Sequence, residues 1–409
     1  MNSHFQAHDM AQDQIADLDE QLLRRRLRTT ESPCDVKAHV NQRELKAFCS
    51  NDYLGLANHP ELVTALAEGA KLYGVGSGAS HLISGHSIAH DLLEKKLAAC
   101  ESNHIPNARA LFFSAGYLAN INAITGLSRL AEQGQVSIYS AKLNHASLID
   151  GVRLASVQTK AKVILFDHQN LDSLEETLKQ DTRPLKLIVV DGVFSMDGDI
   201  APVEKLLRIA EQYDALLMVD DAHGFGVLGE HGHGVLEQIG LHSERIIYIG
   251  TLGKAAGVSG AFICAAAPFI EWLIQKGRPY IYSTATPPAI AHTLLKSLDL
   301  IEGGEGIARR KKLNQLIQVW NEEMTFSSWG KVSSSTPIQP VILGSNANAL
   351  AAAKLLDEAG YWIPAIRPPT VPVGSSRLRI TFSSNHSIDD LRELIKTLQV
   401  IEQEIKNNS

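Results

Sequence analysis

Between residues 110 and 264 the sequence alternates between short apolar runs and helix-like segments. The apolar runs, which are rich in β-branched or aromatic residues and bounded by turn residues, are 110–113, 136–139, 163–166, 187–190, 216–219, 246–249 and 261–264. Helix-like segments at 116–131, 171–179 and 202–213 separate several of them. Strands that are apolar on both faces and joined through helices are typical of a mostly parallel sheet covered on both sides. This region therefore predicts a large α/β domain.

The chain has 409 residues, which is too many for one ordinary hydrophobic core and predicts two or more lobes. We expect an N-terminal helix and strand arm over 1–59, the large α/β domain over 60–290 and a smaller C-terminal α/β domain over 291–409. In the arm, 14–28 is predicted to be an amphipathic helix and 45–60 a strand with a turn; a helix at 60–73 follows. The C-terminal helices are predicted at 289–302, 307–325, 346–359 and 387–405, and its strands at 338–343 and 376–382.

The composition excludes several functional classes. The formal net charge is -7 without a broad basic excess, which argues against a nucleic-acid binder. The four cysteines are scattered without a C-x-x-C pair, which indicates neither a zinc cluster nor a disulfide framework. The first twenty residues are acidic rather than signal-like, and the longest nearly continuous apolar run, 260–270, is too short to span a bilayer. A cytoplasmic enzyme that contacts neither nucleic acid nor membrane is the expectation.

The polar residues that follow the apolar runs are the candidates for chemistry, because ligands of α/β sheets bind beyond the carboxyl ends of the strands. The 216–219 run delivers Asp220, and His223 follows three residues later. A carboxylate in this place can bind magnesium, act as a general base or pair with a heterocyclic cation. A helix-capping aspartate with a structural histidine is the alternative.

Lys254 follows the 246–249 run, after Thr251 and beside Gly253. A lysine after a strand is often a solvated surface residue. Here its neighbours are small and apolar, so the amine is expected to be partly desolvated, which lowers the pKa of an amine and suits a Schiff-base lysine. The segment is not a P-loop, because the G-x-x-x-x-G-K-[ST] spacing is missing and Ala255 follows the lysine.

Three weaker signals lie at other strand ends. The 110–113 run leads through Ser114 into Gly116 and Tyr117 at the start of a helix, and free N–H groups at a helix N-terminus bind phosphate well. His145 is able to stack on a planar ring, and Ser195 is able to donate to a cofactor oxygen. Each of these residues alone is more often structural. Together, a phosphate site, a carboxylate and a lysine fit pyridoxal 5'-phosphate (PLP), which needs all three.

At this point the sequence resembles the α-oxoamine synthases, which are PLP enzymes. The resemblance extends from about Arg24 to the last helix and rests on these strings: SNDYLGL (50–56), GSGASHLISG (76–85), HASL (145–148), DGVFSMDGD (191–199), VDDAHGFGVLG (219–229), TLGKAAGVSGA (251–261) and IYSTATPP (281–288). The resemblance implies the type I fold of PLP-dependent transferases, with a mostly parallel large domain and a smaller C-terminal α/β domain.

The resemblance also implies roles for individual residues. Lys254 would carry PLP as a Schiff base and move protons, Asp220 would pair with the pyridine nitrogen, and His145 would stack on the ring and contact substrate. Further cofactor contacts are implied for Gly116, Tyr117, Ser195, His223, Thr251 and, from a neighbouring subunit of a homodimer, Thr284. Substrate contacts are implied for Arg24, Thr370 and Arg379, the last with the amino-acid carboxylate. Tyr117 stands where many relatives have another aromatic residue, a mild departure.

The stretches 365–372 and 377–381, with LRRR at 23–26, are most similar to the biotin-pathway branch of the family. This implies a decarboxylative condensation of L-alanine with a pimeloyl thioester carried by coenzyme A or acyl carrier protein. Other branches, such as glycine C-acetyltransferase, remain alternatives, as does a non-catalytic PLP-fold regulator. The run of arginines at 24–28 fits either a solvated helix face or an anionic acyl donor. No metal site is expected, because no acidic or cysteine partner stands at ligand spacing beside the histidine groups at 81–90 and 231–233.

Overall fold

The computed structural model describes residues 6–407. The helices are α1 Gln6–Glu20, α2 Pro60–Tyr73, α3 Ile88–Glu101, α4 Gly116–Leu127, α5 Ala146–Thr159, α6 Asp172–Gln180, α7 Val203–Gln212, α8 Val235–Ile239, α9 Ala267–Lys276, α10 Arg278–Tyr282, α11 Pro288–Glu302, α12 Gly304–Glu323, α13 Asn346–Glu358 and α14 Ile388–Asn407, with a π-helical turn at His81–Gly85. The strands are β1 Lys37–Val40, β2 Arg43–Ala47, β3 Ala108–Phe113, β4 Val136–Ala141, β5 Lys162–Phe166, β6 Leu185–Asp191, β7 Leu216–Asp220, β8 Ile246–Thr251, β9 Ala261–Ala266, β10 Gly330–Lys331, β11 Ile338–Gly344, β12 Tyr361–Trp362, β13 Ala365–Ile366 and β14 Ser376–Thr381.

The seven predicted apolar runs all lie in one sheet, in the order β3-β9-β8-β7-β6-β4-β5. β9 runs antiparallel to both of its neighbours, and the remaining pairs are parallel. Every residue of β4, β7, β8 and β9 is buried, because helices cover both faces of the sheet. The predicted α/β fold with a mostly parallel sheet is therefore confirmed.

The register of the central strands places polar and ionisable side chains at one edge of the sheet. β6 and β7 pair so that Asp191 and Asp220, the last residue of each strand, face each other. β8 lies beside β7 and ends at Thr251, which leads directly to Lys254. Because parallel strands present their carboxyl ends at the same edge, residues far apart in sequence meet there.

Two compact units make up the chain. One comprises Asn51–Ser195 and Asp199–Leu313, and it contains the seven-stranded sheet. The other comprises residues 6–50, the short segment Met196–Gly198 and residues 314–407. The expected domain boundaries at 59/60 and 290/291 stay a prediction.

The second unit has two small sheets of its own. β10, β11, β14 and β13 form an antiparallel sheet, and β1, β2 and β12 form a three-stranded sheet. Trp320 and Phe382 are fully buried, with ring centroids 5.8 Å apart. The predicted C-terminal helices and strands are present within a few residues of their expected ends.

The sequence also marks helix ends. α2 coincides with the predicted range, because Pro60 is tolerated in the first turn, where its missing N–H has no partner to lose. The helix stops before Gly74, whose φ of 77° favours glycine.

The predicted helix at 14–28 is wrong in its second half. The helix spans Gln6–Glu20 and buries none of its residues, so packing does not extend it. Leu22 then has a φ of 57°, a left-handed conformation that ends the helix. A longer helix would also place the like charges of Arg24 and Arg28 one turn apart, which is destabilising. Instead Arg28 pairs with Asp357 at 2.7 Å.

Within residues 6–407 no helix is both long and apolar enough to cross a bilayer.

Candidate active site

A cavity of about 180 Å³ lies at the carboxyl edge of the large sheet. Eight residues predicted from the sequence line it: Gly116, Tyr117, His145, Ser195, Asp220, His223, Thr251 and Lys254. Four residues that the prediction did not include line it as well: Asn120, Ser147, Asp191 and Ala222. The fold therefore collects segments from residue 116 to residue 254 around one space.

Lys254 contacts a histidine inside this cavity. Its Nζ lies 2.9 Å from Nε2 of His223, and Nδ1 of His223 lies 2.6 Å from the hydroxyl of Tyr53. That hydroxyl is 3.1 Å from Oδ1 of Asn51. Tyr53 is fully buried and fixes the histidine from the side opposite to the lysine. Tyr53 belongs to the string SNDYLGL. The sequence showed only that this string resembles a family motif and predicted no role for Tyr53.

Asp220 is a buried carboxylate with two fixed hydrogen bonds. Its Oδ2 accepts from Nδ2 of Asn120 at 2.6 Å, and its Oδ1 accepts from the backbone N–H of Ala222 at 3.1 Å. Both donors stabilise the ionised form, since an ionised carboxylate only accepts hydrogen bonds. Asp220 is thus a carboxylate held in a fixed orientation at the edge of the cavity.

Asp191 supports the next segment of the wall. Its Oδ2 accepts from the backbone N–H of His145 at 2.7 Å, which fixes the start of α5. Burial raises the pKa of Asp191 well above its usual range, and the neighbouring carboxylate of Asp220 acts in the same direction. The two carboxylates at adjacent strand ends are therefore both buried, and each accepts a hydrogen bond from a neighbouring N–H group.

His145 caps helix α5 and faces the cavity. Its Nδ1 is 2.7 Å from Oγ of Ser147 and accepts from the backbone N–H of Ser147 at 3.2 Å. Partial burial of the ring lowers the pKa of His145; the charge of Asp220 opposes this effect and that of Lys254 adds to it. The imidazole is consequently neutral near pH 7.

The N-terminus of α4 forms another part of the wall. Ala115 precedes it and has no side chain that could cap the first N–H groups. At Gly116 an added Cβ would meet Ala261 Cβ and Thr251 Oγ1 at 3.9 Å, an ordinary van der Waals distance, so the backbone is not crowded there. The helix start is therefore suited to an anion. Tyr117 is half-exposed and its hydroxyl bonds to Asp150 at 2.5 Å.

Thr284 is not among the residues that line this cavity. It pairs with Ser80 in an isolated β-bridge and borders a separate small space beside His81 and Ser114. Its predicted contact with the cofactor of a neighbouring subunit stays a prediction.

The predicted substrate residues Arg24, Thr370 and Arg379 belong to the other unit. Arg24 pairs with Asp19 at 2.5 Å, and Oγ1 of Thr370 accepts from Arg25 at 3.3 Å. Arg379 is buried in β14. Their roles toward substrate stay predictions.

Folding also creates groupings that sequence spacing does not show. Nε2 of His233 lies 3.0 Å from Oε1 of Glu302, and Sγ of Cys100 donates to the same oxygen at 3.4 Å. His233 therefore has an acidic and a cysteine neighbour in space, although neither stands at ligand spacing in the sequence. These atoms satisfy one another, and the expectation that no metal binds stays a prediction. Two further groups with ligand-type atoms within 4.8 Å are His81, His86 and His90, and His59, Glu61 and Glu305.

The sheet, the strand-end aspartate and the glycine-flanked lysine define a class of protein. The family model described as aminotransferase class I and II matches residues 44–398, and the chain belongs to this family. Among solved structures, serine palmitoyltransferase from Sphingomonas wittichii is similar, with a TM-score of 0.86 and 26% identity, over 99% of each chain.

Curated relatives narrow the class. The chain is 52% identical to 8-amino-7-oxononanoate synthase of Janthinobacterium sp. (strain Marseille), over 96% of this chain and 97% of the relative. It is 54% identical to the enzyme of the same name from Polaromonas naphthalenivorans, over 95% and 96%. A crystal structure of 8-amino-7-oxononanoate synthase from Francisella tularensis is 30% identical with a TM-score of 0.72, over 89% of this chain and 98% of that one. Within its family the chain belongs with the 8-amino-7-oxononanoate synthases.

The residues of the cavity fit PLP. The uncapped start of α4 suits a phosphate, the buried carboxylate of Asp220 suits a protonated pyridine nitrogen, and Nζ of Lys254 reaches the same space. The neutral ring of His145 offers a face for stacking. The chain is a PLP-dependent transferase, as its family indicates, and its own residues provide the groups that this cofactor requires.

Proposed function

We propose that this chain condenses L-alanine with a pimeloyl thioester to give 8-amino-7-oxononanoate, carbon dioxide and the free thiol of the acyl carrier, a step of biotin biosynthesis. One observation carries the substrate assignment, namely identity above 50% over nearly the whole length to enzymes of that name. Either coenzyme A or acyl carrier protein would present the acyl group. A cytoplasmic location is part of the proposal.

Bound PLP supplies an electron-accepting ring that stabilises negative charge at the α-carbon of an amino acid. Lys254 would hold it through Nζ, and Asp220 would hold its ring nitrogen in the protonated state. The start of α4 and Thr251 would bind its phosphate, and His223 its ring hydroxyl. Ser195, which lines the same cavity, would contribute a further contact to the cofactor.

The same lysine would move the proton. Nζ of Lys254 would accept the proton of the α-carbon of L-alanine and would later return one. His223, whose Nε2 is 2.9 Å from Nζ, is placed to share this proton, and Tyr53 keeps the histidine in that orientation. A base held within hydrogen-bond reach is what general base catalysis requires.

Arginine side chains would bind the carboxylates of the two substrates. Arg379 would pair with the carboxylate of alanine, since a guanidinium binds a carboxylate through two parallel hydrogen bonds. Arg24 and Thr370 would contact the acyl donor, whose pimeloyl chain ends in a second carboxylate. The decarboxylation then removes the alanine carboxylate as carbon dioxide.

A homodimer is part of the proposal. Large apolar side chains are exposed on α2, α3, α10 and the segment around the π-helical turn, with exposed fractions of 87% for Val75 and 80% for Ile83. Others in this region are Val63, Leu72, Ile88 and Tyr282. Clustered exposed apolar residues indicate a protein interface. A second copy would cover this surface, and the two copies would share active sites at the interface between them.

The test is a reconstituted reaction. Purified protein with PLP, L-alanine and pimeloyl-coenzyme A should yield 8-amino-7-oxononanoate by mass spectrometry, with equal amounts of carbon dioxide and free thiol. Parallel reactions replace alanine by glycine or serine, and the acyl group by acetyl- or palmitoyl-coenzyme A. Preferred use of glycine with acetyl-coenzyme A would reassign the chain to another α-oxoamine synthase. PLP binding without turnover of any pair would favour a non-catalytic regulator.

A further inference from the structure

Four side chains in the cavity wall form one hydrogen-bonded chain. Nδ2 of Asn120, on α4, lies 2.6 Å from Oδ2 of Asp220 and 2.8 Å from Oγ of Ser147. Oγ of Ser147 lies 2.7 Å from Nδ1 of His145. Asn120 and Ser147 are each 1% exposed, so water does not compete for these bonds. This series of hydrogen bonds links the Asp220 carboxylate at the end of β7 to the His145 imidazole at the start of α5.

The direction of each hydrogen bond in this series follows from the groups at its two ends, the Asp220 carboxylate and the His145 imidazole. The Asp220 carboxylate accepts only, so the amide nitrogen of Asn120, and not its oxygen, faces it. The second N–H of the same amide points to Oγ of Ser147, which must therefore direct its own hydrogen elsewhere. The remaining acceptor is Nδ1 of His145, which also receives the backbone N–H of Ser147. Nδ1 is thus unprotonated, and the proton of the neutral ring is on Nε2.

We infer that Asn120 and Ser147 are positioning residues that jointly hold Asp220 as an oriented carboxylate and His145 as the Nε2–H tautomer. The inference rests on the proposed function only in that Asp220 and His145 are taken to contact the cofactor. Neither Asn120 nor Ser147 needs to touch a reacting atom, because each acts through its hydrogen-bonded neighbour.

The surroundings of the imidazole agree with this assignment. Asp220 and Lys254 face the ring, and Asp191 holds the backbone N–H of the same residue. Among residues 6–407, Nε2 of His145 makes no hydrogen bond within the protein, and the side chain borders the cavity. A histidine in this tautomer presents a donor to whatever occupies the cavity, whereas the other tautomer would present a bare lone pair.

The tautomer is measured directly by nitrogen NMR. In solid-state spectra of the holoenzyme labelled with 15N-histidine, the His145 signals are assigned by their absence in His145→Gln. We expect a protonated Nε2 and an unprotonated Nδ1 near pH 7. Ser128→Ala is the matched control for the Ser147 variants and should leave the His145 signals unchanged. Ser128 Oγ bonds only to the carbonyl of Ile124, within α4. A proton on Nδ1 in the wild type would overturn the inference.

A graded series at Ser147 separates hydrogen bonding from packing. A donor at Nδ1 favours the neutral ring, so weakening it raises the pKa of His145. The pKa read from the same 15N signals should rise from wild type through Ser147→Cys, a weak donor, to Ser147→Ala by about one pH unit in all. Equal values in the three proteins would contradict a positioning role, even where the variants differ in thermal stability.

The affinity for PLP tests the hydrogen bond between Asn120 and Asp220. Asn120→Ala removes a hydrogen bond to a charged acceptor and should weaken PLP binding about 10- to 100-fold in reconstitution titrations. Asn122→Ala is the control, since this second buried amide of α4 bonds to the backbone of Tyr280 and does not line the cavity. Equal loss in both variants would indicate a structural effect only and would overturn the inference.

These measurements need no acyl substrate. Failure of the proposed function would appear as a wild-type protein that binds PLP but forms no product from alanine and the pimeloyl thioester. Failure of the positioning inference would appear as the wrong tautomer or unchanged affinity in a protein that does form product. The two results are therefore distinguishable.

Discussion

Nζ of Lys254 lies 2.9 Å from Nε2 of His223, although the two residues follow different strands. The contact exists because β7 and β8 are parallel neighbours, so the segments after them emerge at the same edge of the sheet. Tyr53 holds the far side of the histidine at 2.6 Å. The amine is thereby directed into the cavity that also contains the carboxylate of Asp220.

Lys254→Ala should abolish both the visible absorbance of PLP bound to the lysine as a Schiff base and the catalytic activity of the protein. Without the amine the cofactor has no covalent attachment and the α-carbon proton has no base, so turnover should fall by at least about 100- to 10,000-fold. The visible absorbance of the purified protein and the rate of product formation measure the two effects. Lys162→Ala, at an exposed position in β5, should retain both. A coloured, active Lys254→Ala protein would refute the assignment of this lysine.

Arg379→Lys should raise the KM for L-alanine about 10- to 100-fold with a smaller change in the KM for the acyl thioester. The reason is geometric, because an ammonium cannot reproduce two parallel hydrogen bonds to a carboxylate. Steady-state kinetics with each substrate varied in turn measure the difference. Arg392→Lys is the control, since Arg392 pairs with Glu323 at the surface. An effect confined to the acyl thioester would instead assign Arg379 to the other substrate.

Thr284 should act on the active site of the neighbouring subunit. Lys254→Ala and Thr284→Ala proteins should each have low activity, but dimers that contain one of each should have one intact site. Random mixing by unfolding and refolding, or by coexpression, should restore about one quarter of wild-type activity. Activity no greater than the average of the two parent proteins would show that Thr284 acts within its own subunit or not at all.

Asp221 should make stability depend on pH. Its Oδ2 accepts from Val235 N–H at 2.6 Å and from the Tyr248 hydroxyl at 2.9 Å, and burial raises the pKa of Asp221 to about 7. Between the ordinary carboxyl range and pH 7 the folded protein keeps a proton that the unfolded chain has lost. This group therefore lowers the free energy of unfolding as pH rises, by up to about 1.4 kcal/mol per pH unit.

Asp221→Asn keeps an acceptor for both donors and cannot ionise. Its free energy of unfolding in urea should fall less steeply than that of wild type from pH 5 to 7. Parallel pH profiles for the two proteins would contradict a protonated Asp221 in the folded state. The variant should still bind PLP, because Asp221 does not line the cavity.

The sequence alone predicted the main sheet and several of the residues that line the cavity at its carboxyl edge. Runs that are apolar on both faces become buried parallel strands, and the carboxyl ends of such strands share one edge. The sequence therefore predicts that Asp220, His223 and Lys254 meet at this edge. Gly74 and Pro60 marked the ends of α2 for equally local reasons, since backbone conformation at these residues is restricted.

Only the tertiary structure decided the contacts between distant residues that carry no strong local signal. Asn120 and Ser147 are ordinary helix residues in the sequence, and their link between Asp220 and His145 arises from the packing of α4 against α5. The helix predicted at 14–28 ends at Glu20, because no surface buries its apolar side. Periodicity reports local preference, whereas packing decides which polar groups are buried together and must bond to one another.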